Sequence, residues 1–174
     1  MQSNSIYMTK QAPKASLRRM GKAIQRDLFE GRLEHGPNRF KHGGDLNRGK
    51  RKIARPFKSN TPIHIVLKSS LATGENSMLS PHNRIAIDRI IEKQARKQQA
   101  KIHAQQNVGN HCHLMASFRT RAQFKKFLKA VSGLIARHVL RTKKGRPAQA
   151  RFWDQIPFTR IVRGFRDFKS MIHY

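Results

Sequence analysis

Hydrophobic positions along the chain follow two periods, and each period predicts a different kind of element. In residues 62–68, Ile63, Ile65 and Leu67 alternate with His64, Val66 and Lys68, so an extended segment shows the first three on one face and the others on the opposite face. Residues 101–118 repeat this period of two on either side of Asn107-Val108-Gly109-Asn110, where Asn and Gly accept the positive φ of a tight turn. A hairpin is expected there. Its second strand turns Cys112, Leu114, Ala116 and Phe118 one way and His111 and His113 the other, which gives a core face and a polar face.

Two stretches carry the helical period instead. Ser80-Pro81 forms a helix start, with a hydroxyl able to cap and a proline tolerated in the first turn. Ile87, Ile91 and Ala95, with Ile90 beside them, then make one apolar stripe as far as about Gln99. Thr120 and Gln123 have the spacing of a capping box ahead of Phe124, Phe127, Leu128, Val131, Leu134, Ile135 and Val139, which recur at three and four. The cationic run from Lys143 through Arg146, with Gly145 and Pro147, predicts the stop of this second helix. Residues 151–163 predict one or two further strands, with Pro157 at a break or an edge. Phe165, Phe168 and Ile172 suit a short closing helix that ends on Tyr174.

This order of elements predicts an α+β domain over residues 59–174, an antiparallel sheet with helices on its faces. Residues 1–58 predict a basic, largely disordered N-terminal extension in which only residues 14–31, through Leu17, Met20, Ile24 and Leu28, show helical spacing.

Charge narrows the function. The chain has 37 Lys and Arg against 9 Asp and Glu, a formal net charge of +28 that a compact protein carries best when a polyanion takes it up. Nucleic acid is the expected partner. No apolar run approaches the length of a membrane span, and the amino terminus shows no apolar core of a secretory signal. The one cysteine, Cys112, cannot form an internal disulfide and fits a reducing cytoplasm. Candidate phosphate contacts are Lys50, Arg51 and Lys52 in the basic arm, Lys68 at the end of the first strand, Lys125, Lys126 and Lys129 on the second helix, and Lys143, Lys144 and Arg146 after it.

His111 and His113, on one strand face, could bind the same ion, or could be surface histidines with ordinary hydrogen bonds. His64 and His103 lie on segments expected to adjoin them. Cys112 is turned away from both, which argues against a Cys–His nucleophile. The few carboxylates form no cluster for a two-metal site, and no phosphate-binding loop of the strand–loop–helix kind is present. Tyr7 and Tyr174 are the only phenols; a phenol can attack a phosphodiester given electrostatic help, and the other reading of Tyr174 is an aromatic that anchors the closing helix.

Taken together, Pro62-Ile-His64-Ile-Val-Leu-Lys68, Asn107-Val-Gly-Asn-His111-Cys-His113-Leu-Met, Phe152-Trp153-Asp154, Arg160-Ile-Val and a closing helix with Tyr174 resemble the single-tyrosine HUH transposases. The REP-associated tyrosine transposases and related insertion-sequence transposases are the nearest group, over residues 48–174. The resemblance implies a ferredoxin-like sheet in which His111 and His113 hold Mg²⁺ or Mn²⁺. It implies that Tyr174 attacks single-stranded DNA, often beside a hairpin, to leave a 5′-phosphotyrosine and a free 3′-hydroxyl. His64 matches the first-strand His, with site support as its expected role, and Asn110 matches the Asn before the first HUH histidine, a turn residue. Family members continue past the tyrosine to an Asn or Gln ligand, so a C-terminally truncated member is expected here: a relic, or one whose metal shell is completed by another group such as His64 or Gln105, or one whose last helix a partner chain supports in a homodimer. The competing readings are a catalytically inactive DNA-binding relic of such a transposase and a small basic RNA-associated protein.

Overall fold

In the computed structural model, residues 39–49, 53–142, 151–164 and 166–167 are described. One compact unit begins at Phe40. Its strands are β1 (Lys41–His42), β2 (Ile63–Lys68), β3 (Lys101–Asn107), β4 (His111–Ser117) and β5 (Phe158–Ile161), and its helices are α1 (Pro81–Lys97) and α2 (Arg121–Val139). The sheet runs β1-β5-β2-β4-β3, with every neighbouring pair antiparallel. The chain passes from β2 through α1 to β3, leaving a gap that β4 then fills. It passes from β4 through α2 to β5, which pairs with the far side of β2. This is the split βαβ arrangement, the ferredoxin-like α+β fold that the resemblance implies, with β1 added at one edge.

The two alternating segments and the two helical stripes meet in one core. Ile63, Ile65 and Leu67 from β2, and Cys112, Leu114 and Ala116 from β4, are buried against Ile87 and Ile91 of α1 and Phe124, Phe127, Val131 and Ile135 of α2. Phe118, just after β4, sits between the rings of Phe124 and Phe127 at 5.2 Å from each. Burying such aromatics removes enough apolar surface to contribute about 2–3 kcal/mol each. Both helices therefore cover the same sheet face, and the face bearing His64, His111 and His113 is left without a helix among the described residues.

Local choices differ from expectation in two places. α2 opens as its sequence predicts, with Thr120 Oγ1 accepting from the Gln123 amide and the Gln123 side chain accepting from the Thr120 amide. Ser80 does not cap α1. Its hydroxyl donates to the Glu75 carbonyl instead, and Asn83 ties the helix start to the preceding loop through the carbonyls of Glu75 and Ser77.

Residues 40–49 also depart from the expected loose extension through residue 58. β1 pairs with β5, and a short 3₁₀ turn follows at Gly44–Asn47. His42 is buried, bonded through Nε2 to the Ile53 carbonyl at 3.0 Å, and Arg55 donates to the Pro157 carbonyl and Thr159 Oγ1. At Gly43 φ is +87°, and a Cβ would lie 2.1 Å from the Pro157 oxygen, so this turn requires glycine. A strand of two residues has no period to read, which hides it in the sequence. Residues 151–163 give one strand, not two; before it, Trp153 Nε1 donates to the Ser132 carbonyl of α2. The helical spacing at 14–31, the run at 143–147 and Phe165, Phe168 and Ile172 lie outside the described residues.

Candidate metal and DNA site

Strand register places the polar face in three rows. Lys41, Arg160, His64, Met115 and Ala104 lie in line across the sheet from β1 to β3. Phe158, Val66, His113 and Gln106 form the next row, and Lys68 stands opposite His111 in the third. A cavity of about 720 Å³ opens over this face, bordered by the three histidines together with Phe158, Arg160 and Lys41. Above Lys68 a second hollow of about 470 Å³ runs past Asp154 to the Gly43-Gly44 turn.

His111 and His113 converge as strand alternation predicts, their ring centroids 4.8 Å apart. His64 lies diagonally across from His113, with its Nε2 3.0 Å from His113 Nδ1 and the two rings 10° from parallel. Asn110 Oδ1 is 2.6 Å from His111 Nδ1. Asn110 is itself anchored, since its carbonyl accepts from the Ser69 amide, while the Gly109 carbonyl accepts from Met78. Gly109, at φ +95°, supplies the turn that delivers β4 in this register.

Burial holds two of the three imidazoles, His64 and His113, below their ordinary range. Burial pushes His64 down to about 4 from its ordinary 6.5, helped by His113 and by the Arg160 guanidinium, while Asp167 opposes. Burial also lowers His113, with His111 adding to the effect. A neutral imidazole is the form that binds a metal. The donor set fits a divalent cation: each of two imidazoles has Nδ1 engaged by a neighbour, which leaves Nε2 as the ligand atom, and the cavity has room for water and phosphate oxygens. Among the described residues no group of three or more His, Cys, Asp and Glu is arranged to hold one metal ion, so the two imidazoles would give partial ligation.

Other residues singled out in the sequence are placed elsewhere. Gln105 borders the cavity, but its amide donates to Asp88 of α1 at 2.5 Å, and it is paired with core residue Leu114. The cause is a register shift in β3 between Ile102 and Ala104, which turns Gln106 toward His113 and Gln105 away. Gln105 thus borders the cavity with its amide held by Asp88. His103, beside the same shift, bonds Ser117 Oγ and stands apart from the histidine cluster. Cys112 is fully buried, its thiol pushed up to about 12 chiefly by that burial, as suits a core residue. Lys126 and Lys129 line a groove of α1 and α2 with Lys93, Lys97 and Arg137, and the sheet lies between that groove and the histidines. Lys125 is exposed on the same helix. Tyr174, Lys50, Arg51, Lys52, Lys143, Lys144 and Arg146 lie outside the described residues.

The sequence reading missed Arg160, Lys41, Phe158 and Gln106. Arg160 donates to Asp167 Oδ1 at 2.5 Å, which ties β5 to the start of the closing segment. Its signal was the alternation within β5, where Thr159 and Ile161 are buried and Phe158 and Arg160 take the other face.

A family model described as "Transposase IS200 like" matches residues 58–163, which spans all of β2 through β5. The chain belongs to the IS200-like transposase family. Among solved structures, this family member is similar to a crystal structure of a transposase candidate from Deinococcus radiodurans R1, at 14% identity and a TM-score of 0.45, covering 71% of this chain and 93% of that one. It is also similar to a REP-associated tyrosine transposase bound to a REP hairpin, at 14% identity and a TM-score of 0.46, covering 71% of this chain and 69% of that one. No curated protein matches this transposase-family chain.

Proposed function

We propose that this transposase binds single-stranded DNA, with a hairpin nearby, across the histidine face, and that it cleaves and rejoins the strand through Tyr174 with Mg²⁺ or Mn²⁺. The observation that carries the reading is the pair of imidazoles, His111 and His113, each with one nitrogen already engaged, beside a cavity bordered by Arg160 and Lys41. The family and the resemblance of the closing segment support it.

His111 and His113 would hold the cation, and when bound it supplies Lewis-acid polarisation of the scissile phosphodiester. Lys41, Arg160 and Lys68 add positive charge along the path of the DNA backbone, which positions a phosphate without reading sequence. The Tyr174 phenolic oxygen attacks phosphorus as the P–O3′ bond breaks. The phenolic proton is lost, the departing oxygen is protonated to a 3′-hydroxyl, and the 5′ phosphate stays on tyrosine. A 3′-hydroxyl attacking that phosphotyrosine reverses the sequence and joins strands. Cytoplasmic, nucleoid-associated placement and a homodimer belong to the same proposal.

A hairpin-bearing single-stranded oligonucleotide with Mn²⁺ should give a covalent protein–DNA adduct that survives denaturation. Tyr174→Phe and His111→Ala should each abolish it. An adduct that persists in Tyr174→Phe contradicts the nucleophile, and salt-sensitive binding without any adduct favours a protein that binds DNA but does not cut it.

A further inference from the structure

Two side chains outside the ligand pair control which nitrogen each histidine can offer. A neutral imidazole carries one N–H, and only the bare nitrogen can bind a cation. His111 Nδ1 faces Asn110 Oδ1, an acceptor, so that nitrogen carries the proton and Nε2 is bare. For His113 the partner is another imidazole, and the bond can run either way. If His64 donated from Nε2, His113 would carry its proton on Nε2 and lose its ligand atom. If His113 donates from Nδ1, His64 accepts, and both histidines of β4 present bare Nε2 atoms on the same face.

We propose that His64 and Asn110 are positioning residues that hold His113 and His111 in the Nδ1–H form and fix the orientation of both rings. The register makes this possible. His64 sits opposite Met115, two pairs along from His113 on the same face, and Val66 stands directly opposite His113 without a polar atom to compete. Asn110 is the residue before His111, and its backbone is held by Ser69, so its amide has a fixed base from which to reach the ring. His64 thereby does for His113 what a carboxylate or carbonyl does behind many metal-bound histidines.

This inference rests on His111 and His113 being the metal ligands, so its test separates the two claims. In the full chain without metal, ¹⁵N chemical shifts assigned by single substitutions report the tautomer of each ring. His111 and His113 should both be Nδ1–H. His64→Phe, which keeps a ring but removes the acceptor, should shift His113 toward the Nε2–H form and weaken Mn²⁺ binding, read from free Mn²⁺ by electron paramagnetic resonance, by about ten- to a hundred-fold. His64→Gln retains an accepting oxygen and should restore most of both properties, a recovery that a purely structural role would not give. An Nε2–H form at His113 in the wild type, or unweakened Mn²⁺ binding in His64→Phe, overturns the inference. Absence of Mn²⁺ binding in a wild type whose tautomers are as stated overturns the ligand assignment beneath it.

Discussion

A histidine buried on a sheet face responds to pH in a direction set by its environment. His64 is lowered to about 4 from 6.5, so the folded protein resists a proton that the unfolded chain takes up readily. Its contribution to stability is present above the ordinary value and is lost as pH falls from 6.5 toward 4, with no further loss below that. His42, His103, His113 and His138 are lowered too, chiefly by burial, and act in the same direction. Metal-free protein should therefore show a falling urea midpoint between about pH 7 and about pH 5, and His64→Phe should flatten part of that slope. An equal slope in both proteins would contradict a neutral, half-buried His64. At this scale the sequence was informative about His111 and His113, because alternation alone fixes which residues share a face. It could not reveal that His64 meets His113 diagonally, since this depends on a register that pairs residues far apart in the chain.

Elements with a strong repeating pattern were legible, and those governed by one exceptional residue were not. β2, β4 and α2 carry long, unbroken periods and appear where those periods place them. β3 carries a good period with one interruption, and the shift between Ile102 and Ala104 exchanges the roles of Gln105 and Gln106. The edge strand β1 depends on Gly43 and on the Pro157 carbonyl it approaches, a long-range contact with no local signal. The cap of α2 was readable because both partners lie three residues apart. Thr120→Ala removes the acceptor for the Gln123 amide and should cost about 1 kcal/mol, seen as a lower urea midpoint, while Thr120→Ser should be close to neutral. Because α2 packs against the sheet face opposite the histidines, this loss should leave Mn²⁺ affinity unchanged at temperatures where the variant is folded. A parallel drop in affinity would contradict that separation.

Across the described residues the sheet acts as a divider: His64, His111, His113, Lys41, Lys68 and Arg160 on one side, the two helices and their lysines on the other. A net charge of +28 makes all of this surface attractive to phosphate, so composition alone cannot tell a reaction surface from a holding surface. The fold can. Lys68→Ala should slow adduct formation on a short single-stranded oligonucleotide, whereas the double change Lys126→Ala with Lys129→Ala should leave that reaction unaltered. The double change should flatten the salt dependence of binding to longer DNA by up to about two units of log–log slope if that DNA contacts the helix groove. Equal slowing in both variants would contradict the division. The central claim is the covalent step at Tyr174, and mass mapping of the adduct tests it most directly. After digestion with protease and nuclease, the account predicts a 5′-linked nucleotide remnant on the peptide containing Tyr174 and a released fragment ending in a 3′-hydroxyl. A remnant on any other residue, or cleavage that leaves a 3′-phosphate, would contradict it.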